Sequence, residues 1–150
     1  MPTLAMEVKQ AVDAVFTPGI LGDDVIIDNF MTLLDIKIHE AKDMLIERYN
    51  WIISQRPESA SFMYDNGTMF GFDGKNIESA MQHGTLAIGQ VALAETLQIL
   101  IGEDQTTEKG MKIAKKIEKL FNDRCKEFKQ EYKLNFGVYL TPKLLGLGVA

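Results

Sequence analysis

The residues best suited to chemistry stand together in the stretch HGTLAIGQVALAETLQILIG, residues 83–102. His83 precedes Gly84 and Thr85 at the mouth of an apolar, strand-like run, where an imidazole can bind a ligand or move a proton. A lone histidine is more often structural, and the chain has no cysteine pair to bind a metal with it. The other histidine, His39, lies among charged neighbours and is predicted to be a solvated surface residue.

Glu95 is the one acid in the apolar run of residues 93–101. A carboxylate in such a helix either faces solvent beside Gln98 or lies inside a barrel. In the barrel interior it would orient a ligand or a neighbouring arginine. Both placements fit the pattern.

Cys125 is the only cysteine, which excludes internal disulfides and multi-cysteine metal sites within this chain. Its neighbours Arg124 and Lys126 are cations, and cations favour the thiolate. The residue also shares a helical register with Phe121 and Phe128, so it falls on an apolar face. Free cysteine is among the most buried residue types, so we predict a buried, inert thiol.

Two long amphipathic helices and a few strands must position these residues. Apolar residues at three- and four-residue steps predict one helix over 24–55 and another from a cap at Thr106 or Thr107 to about 132. Between them we predict a short hairpin or loop, one or two helical turns, a strand over 85–91 and a helix over 93–101 ended by Gly102. Outside them, a short helix is possible within residues 7–16, a Pro-Gly turn follows it, and a last strand closes at Thr141-Pro142. This order predicts a helix-rich α/β fold with too few strands for a complete sheet.

Chain length, net charge and the lengths of the apolar runs exclude several classes of protein. The 150 residues carry a net charge of −5, which argues against broad binding to nucleic acid or anionic membranes. The segment 108–133 carries nine basic and five acidic residues, but the mixed signs are typical of a solvated helix. No apolar run approaches the roughly 20 residues that span a bilayer, and no signal peptide opens the chain. We therefore expect a cytoplasmic protein without a membrane partner.

Four motifs, taken in order, resemble an internal part of the anaerobic (class III) ribonucleoside-triphosphate reductases. They are LLDIKIHEAKDMLIERY, MQHGTLAIGQVALAETLQILIG, TTEKGMKIAKKIE and YKLNFGVYLTP. The His-Gly-Thr, Ile-Gly and Leu-Ala-Glu series of residues 83–95 is the most specific element. The resemblance divides the chain into a poorly matching segment 1–25, a partial reductase barrel segment 26–142 and a non-matching tail 143–150.

The resemblance implies a fold and a chemistry. The fold is a piece of the ten-stranded α/β barrel of glycyl radical enzymes. A radical S-adenosylmethionine activase installs the family's glycyl radical, a cysteine thiyl abstracts the ribose 3′-hydrogen, and formate or a thiol system supplies the electrons. ATP and dATP act as effectors, and ribonucleoside triphosphates are the substrates. The protein holds the radical and orients the substrate.

Carried over by resemblance, the substrate-lining residues number seven: Asn66, Gly67, Met81, His83, Gly84, Thr85 and Glu95. No catalytic or metal-binding role transfers, because the chain lacks a radical loop, a four-cysteine zinc site and a cysteine within residues 52–69. We expect a fragment that binds no cofactor, is inactive alone and self-associates through uncovered strand edges and core surface. The alternative is a small helix-rich binding or interaction module without catalysis.

Overall fold

A computed structural model of the chain describes residues 2–15 and 23–140. Along the chain it contains α1 (Pro2–Val15), α2 (Asp23–Ile53), a 3₁₀ turn (Pro57–Ala60), α3 (Ser61–Asp65), α4 (Ile77–Met81), β1 (Thr85–Gln90), α5 (Leu93–Ile101), α6 (Glu108–Tyr132) and β2 (Asn135–Leu140). The predicted helix-rich α/β class is therefore confirmed at this level. The predicted Pro-Gly turn and the Thr141-Pro142 end of the last strand lie outside the described residues.

Strands β1 and β2 form a two-stranded parallel sheet in which Thr85 pairs with Asn135 and Gln90 with Leu140. A parallel pair needs a long crossover connection, and α5 and α6 supply it here. Helix α5 ends where Gly102 takes a left-handed backbone, φ +72°, as predicted. Helix α6 begins at a Thr107 cap, whose hydroxyl accepts a hydrogen bond from the Gly110 amide.

One main core joins α1, α2, α5, α6 and one face of the sheet. Its most completely buried large apolar side chains come from three different helices: Phe30, Ile38, Leu97, Leu100 and Ile117. A second, smaller core lies under the 3₁₀ turn and α3, where Tyr64, Ile77 and Ala80 are buried. The long helices therefore form a layer that covers a single side of the sheet.

Two side-chain contacts fix α2 beside α6, an ion pair and a hydrogen bond. Arg124 donates to both carboxylate oxygens of Asp35, at 2.7 and 2.8 Å, and holds the pKa of Asp35 below its ordinary value. Further along, the buried Lys42 donates to the hydroxyl of Tyr132 at 3.1 Å. Successive contacts advance along both helices, so α2 and α6 run side by side in the same direction.

The segment 61–72 corrects one prediction. Its alternating aromatic residues indicated a hairpin or a loop between strands, but the residues form α3 followed by turns. Tyr64 is buried and packs on Phe72 with ring centroids 4.8 Å apart. The aromatic residues of this segment therefore make a local contact instead of pairing two strands. The Asn66 side-chain amide donates to the Phe62 carbonyl at 2.8 Å, which helps to end the helix.

Helix α1 is longer than the short helix predicted near residues 7–16, because it begins at Pro2. Proline is compatible with the first helical turn, whose amides have no intrahelical acceptor. Ala5 and Val8 bury their side chains in the main core. Within residues 2–15 and 23–140, no helix is both long enough and apolar enough to cross a bilayer.

Candidate functional site

The amino ends of the two strands carry a short chain of polar side chains. The side-chain amide of Asn135 donates from Nδ2 to the Thr85 hydroxyl at 2.6 Å, and Lys129 Nζ donates to the side-chain oxygen Oδ1 of Asn135 at 3.2 Å. The hydrogen bond between Thr85 and Asn135 joins two register partners, so it adds to the backbone pairing of the strands. Thr85 is exposed, as the prediction of a strand-mouth residue requires.

His83 lies just before this end and packs on an exposed aromatic ring. Its imidazole meets Phe70 edge-on with centroids 5.1 Å apart, and the Phe70 side chain is 82% exposed. Gly71 makes this approach possible, because a Cβ there would lie 2.1 Å from His83 Cδ2. Gly71 also has φ +77°, which favours glycine. An accessible imidazole beside an aromatic face is suited to a flat polar ligand.

Four other predicted residues stand near His83 in the chain or in the preceding loop. The Gly84 amide donates to the Met81 carbonyl at 3.0 Å, which closes the turn after α4. Asn66 ends α3 through its side-chain amide, and Gly67 follows with φ +66°. The structure therefore gives Gly84, Met81, Asn66 and Gly67 defined roles in turns that lead toward the strand.

Glu95 stands apart from the other predicted residues. It lies exposed in the first turn of α5, after the carboxyl end of β1, whereas Thr85 begins the strand. A six-residue strand separates those ends by about 20 Å. Glu95 faces solvent, so the structure agrees with the simpler of the two placements that the sequence left open.

The two faces of the sheet differ in how far their side chains are buried and in the size of those side chains. Ile88 and Gln90 in β1 and Phe136 in β2 point into the helices and are buried. The opposite face bears small or polar residues and one aromatic side chain, alternating along both strands: Thr85, Ala87, Gly89, Asn135, Gly137 and Tyr139. The β1 members are exposed and Tyr139 is 59% exposed, so none of the described elements covers this face. We call these six residues the bare sheet face.

Gln90 is a polar residue that the sequence reasoning missed. It is 2% exposed, and its side-chain amide donates to Glu118 on α6 at 3.1 Å. Its carbonyl oxygen is buried without a hydrogen-bond partner. The signal was a glutamine in register with Leu86 and Ile88, on the face that packs against the helices. Ala92 follows with a left-handed backbone, φ 61°, at the turn into α5.

Cys125 is 5% exposed, and burial raises the pKa of its thiol. This confirms the predicted buried thiol, which is poorly suited to nucleophilic or radical-transfer chemistry because no ligand can reach it. His39 is less solvated than predicted, since its ring meets Phe128 edge-on at 5.2 Å while its side chain remains 45% exposed. Across the described ranges, no three histidine, cysteine, aspartate or glutamate residues are grouped so as to hold a metal ion.

One open cleft of about 240 Å³ lies where α2 meets the 3₁₀ turn. Trp51, Tyr64 and Ile77 supply its apolar walls, and Gln55 and Ser59 supply polar atoms. The volume is below the roughly 300 Å³ at which ligand pockets begin. None of the residues that line the cleft belongs to the bare sheet face.

Comparison of the sequence with models of known protein families shows the family of the chain. The sequence model of the anaerobic ribonucleoside-triphosphate reductases matches residues 1–143. The chain belongs to this family. The resemblance seen in the four motifs is thereby confirmed, and the matched range includes all seven predicted substrate-lining residues of the reductase family. No curated protein sequence matches the chain.

Proposed function

We propose that the chain serves as a wall segment of the catalytic barrel of an anaerobic ribonucleoside-triphosphate reductase. The observation that carries the proposal is the bare sheet face. Parallel sheets occur almost only with both faces covered, and here the helices cover one face alone. In a closed barrel the second face points inward, toward the space in which a substrate lies.

The composition of the bare sheet face supports an inner wall. Ala87, Gly89 and Gly137 leave room above the strands for a ligand, while Thr85 and Asn135 supply hydrogen-bonding atoms at one end. A sheet face that packed on another protein layer would instead carry large apolar residues. His83 and Phe70 would then lie at the rim, where a base or ribose can meet an imidazole and an aromatic ring.

The radical steps of the reaction belong, in this proposal, to residues beyond the described ones. The glycyl radical of the family supplies the oxidising power for ribose activation when it is present. Cys125 does not fit the thiyl role, because it is buried in the helical core rather than on the bare sheet face. What this chain's own residues do is bind and orient: Thr85 and Asn135 offer hydrogen bonds, and the small residues set the depth of the chamber.

The experiment is a chimera. Residues 73–140, which carry the bare sheet face and leave the host's own thiyl cysteine in place, replace the corresponding segment of a full-length reductase of the family, which is then activated and assayed under strict anoxia. We expect a folded enzyme that loads its glycyl radical, seen by electron paramagnetic resonance, and forms deoxyribonucleotide. The isolated chain, given the same activase and substrate, should form none. A chimera that folds and loads the radical but does not turn over would contradict the proposal.

The second candidate is a helix-rich binding module without catalysis. The open cleft beside Trp51 favours it, since apolar side chains form most of its lining and none of the lining residues belongs to the bare sheet face. This function predicts that the radical-loaded chimera is inactive. It also predicts a monodisperse chain that unfolds cooperatively by itself, whereas a barrel segment with an uncovered face should not stay monodisperse.

A further inference from the structure

The hydrogen bonds at the amino ends of the two strands run in a single direction. An ammonium group can only donate, so the contact of Lys129 Nζ with Asn135 at 3.2 Å is made to the amide oxygen Oδ1. The amide nitrogen Nδ2 therefore faces Thr85. Because this nitrogen can only donate as well, the Thr85 hydroxyl oxygen accepts from it at 2.6 Å. We call the series from the lysine through the amide to the hydroxyl the donor chain.

The hydroxyl hydrogen of Thr85 is the open end of the donor chain. A hydroxyl oxygen that accepts a hydrogen bond still carries one hydrogen that it can donate. Within residues 2–15 and 23–140, no protein atom accepts this hydrogen. Thr85 is exposed on the bare sheet face, so the hydrogen is available to a ligand that lies over the strands.

Gly137 helps to hold the Thr85 side chain in this orientation. The methyl group of Thr85 lies over Gly137, where an added Cβ would come within 3.3 Å of Thr85 Cγ2. With its methyl group on that side, Thr85 directs its hydroxyl toward Asn135. A β-branched side chain is also stiff at χ1. The hydroxyl is therefore in place before a ligand arrives, and binding costs little side-chain entropy.

The positive charge at the start of the donor chain selects the kind of ligand. A hydrogen bond from an ammonium group polarises the amide that accepts it, and this strengthens the next donor along the chain. None of the described carboxylates forms an ion pair with Lys129, whereas Lys119 is paired with Asp123. Donors that begin at a cation make their strongest hydrogen bonds to negatively charged oxygens. A phosphate oxygen is an acceptor of this kind.

We propose that Thr85 binds a phosphate group of the ribonucleotide at the amino end of the bare sheet face. The ribonucleotide as ligand rests on the proposed function, whereas the phosphate-binding hydroxyl follows from the direction and charge of the donor chain. Thr85 makes the contact, and Asn135 and Lys129 are positioning residues that set the direction and the charge of the donor. His83 precedes Thr85 by two residues, at most about 7 Å of chain, so the attached nucleoside can reach the imidazole and Phe70.

Phosphorus NMR of inorganic tripolyphosphate, titrated with the whole chain at low ionic strength, tests the site without any turnover. Tripolyphosphate presents phosphate oxygens without a base or a ribose. We expect its signals to shift and broaden as protein is added, which yields a dissociation constant. Thr85→Val keeps the shape of the side chain but removes the hydroxyl, and it should weaken binding by about tenfold or more. Thr85→Ser keeps the hydroxyl and should bind within about twofold of the unmodified chain.

Asn135→Asp tests the direction of the donor chain. A carboxylate accepts from both Lys129 and Thr85, so the three side chains stay joined, but the hydroxyl hydrogen turns away from the ligand. Binding should weaken by about tenfold or more, and Asn122→Asp, which adds the same charge at an exposed position of α6, should change it by less than about twofold. Lys129→Met should weaken binding by about threefold or more, unlike the matched exposed control Lys126→Met.

Three results would overturn the phosphate site, provided that circular dichroism shows unchanged helix content. They are no binding by the unmodified chain, equal affinity of Thr85→Val, and equal affinity of Asn135→Asp. The wall function is judged separately. A chimera that turns over, combined with a chain that does not bind tripolyphosphate, keeps the wall function and removes the phosphate site. An inactive chimera, combined with the expected pattern of binding, does the reverse.

Discussion

Replacing Gly110 with alanine should destabilise the protein, although helix propensity alone predicts the reverse. Alanine exceeds glycine by about 1 kcal/mol in a helix interior. Gly110, however, is buried in the first turn of α6 against the preceding loop. A Cβ at this position would lie 1.8 Å from the Asp104 carbonyl oxygen and 2.6 Å from its carbonyl carbon. Both neighbours are backbone atoms, so the loop itself must move.

The expected magnitude follows from three effects. Overpacking costs about 1 to 3 kcal/mol. Displacing the loop also weakens the cap in which Thr107 Oγ1 accepts from the Gly110 amide at 3.0 Å, a loss of about 1 kcal/mol. The propensity gain of about 1 kcal/mol offsets the cap loss. We therefore expect the Gly110→Ala variant to be less stable by about 1 to 3 kcal/mol.

Urea unfolding followed by circular dichroism measures this difference. Thr107→Ala is the matched control, because it removes the cap without adding an atom against Asp104, and it should cost about 1 kcal/mol. If the Gly110→Ala variant proves as stable as the unmodified chain, or more stable, the result would contradict the close packing of the 103–107 loop against α6.

Three further predictions concern other sites. Asp35→Asn should cost about 1 to 3 kcal/mol at pH 7 in a urea titration, since Arg124 loses a charged hydrogen-bond partner. Because the ion pair lowers the pKa of Asp35, its contribution is present above the unfolded pKa and is lost as pH falls, so the difference should shrink below about pH 4. Gly71→Ala should displace His83 from its aromatic neighbour and move its ring-proton NMR shifts. Cys125 should react with a thiol reagent only after unfolding.

Each of these has a control or an opposing result. Lys119→Ala breaks an exposed pair and should change stability by less than about 1 kcal/mol, unlike Asp35→Asn. A difference for Asp35→Asn that grows on acidification would contradict the ion-pair assignment. Gly67→Ala has the same positive-φ cost but no neighbour within 4 Å, so it should leave the His83 signals in place. Rapid modification of native Cys125 would mean that the α6 packing opens readily.

Hydrophobic periodicity predicted the long elements well. The helix expected over 24–55 is α2, Asp23–Ile53, and the helix over 93–101 is found with the same limits and the same terminal glycine. These two predictions succeed because each helix buries one stripe of apolar residues, and that stripe sets both the spacing of the apolar residues and the positions where the helix begins and ends. The segment near Tyr64 failed because its aromatic alternation mimicked a strand, while a local contact with Phe72 and a small separate core decided the outcome.

The candidate site was predictable only in part. The position of Thr85 at a strand mouth follows from local pattern, but its hydrogen bond to Asn135 depends on strand pairing across 50 residues. The position of His83 depends on a positive-φ glycine twelve residues earlier. The buried contact between Gln90 and Glu118 likewise spans 28 residues. Such contacts arise from the tertiary fold, which single-residue patterns do not encode.

The most direct test of the account fills the bare sheet face. In the chimeric reductase, Ala87→Trp places a large ring over the strands where we propose that substrate lies, and Lys126→Trp on the opposite helix serves as the matched control. We predict that both variants fold and load the radical, and that Ala87→Trp alone lowers turnover, by about 100-fold or more. Turnover of the Ala87→Trp enzyme within about twofold of the control would contradict the claim that this face lines the reaction chamber.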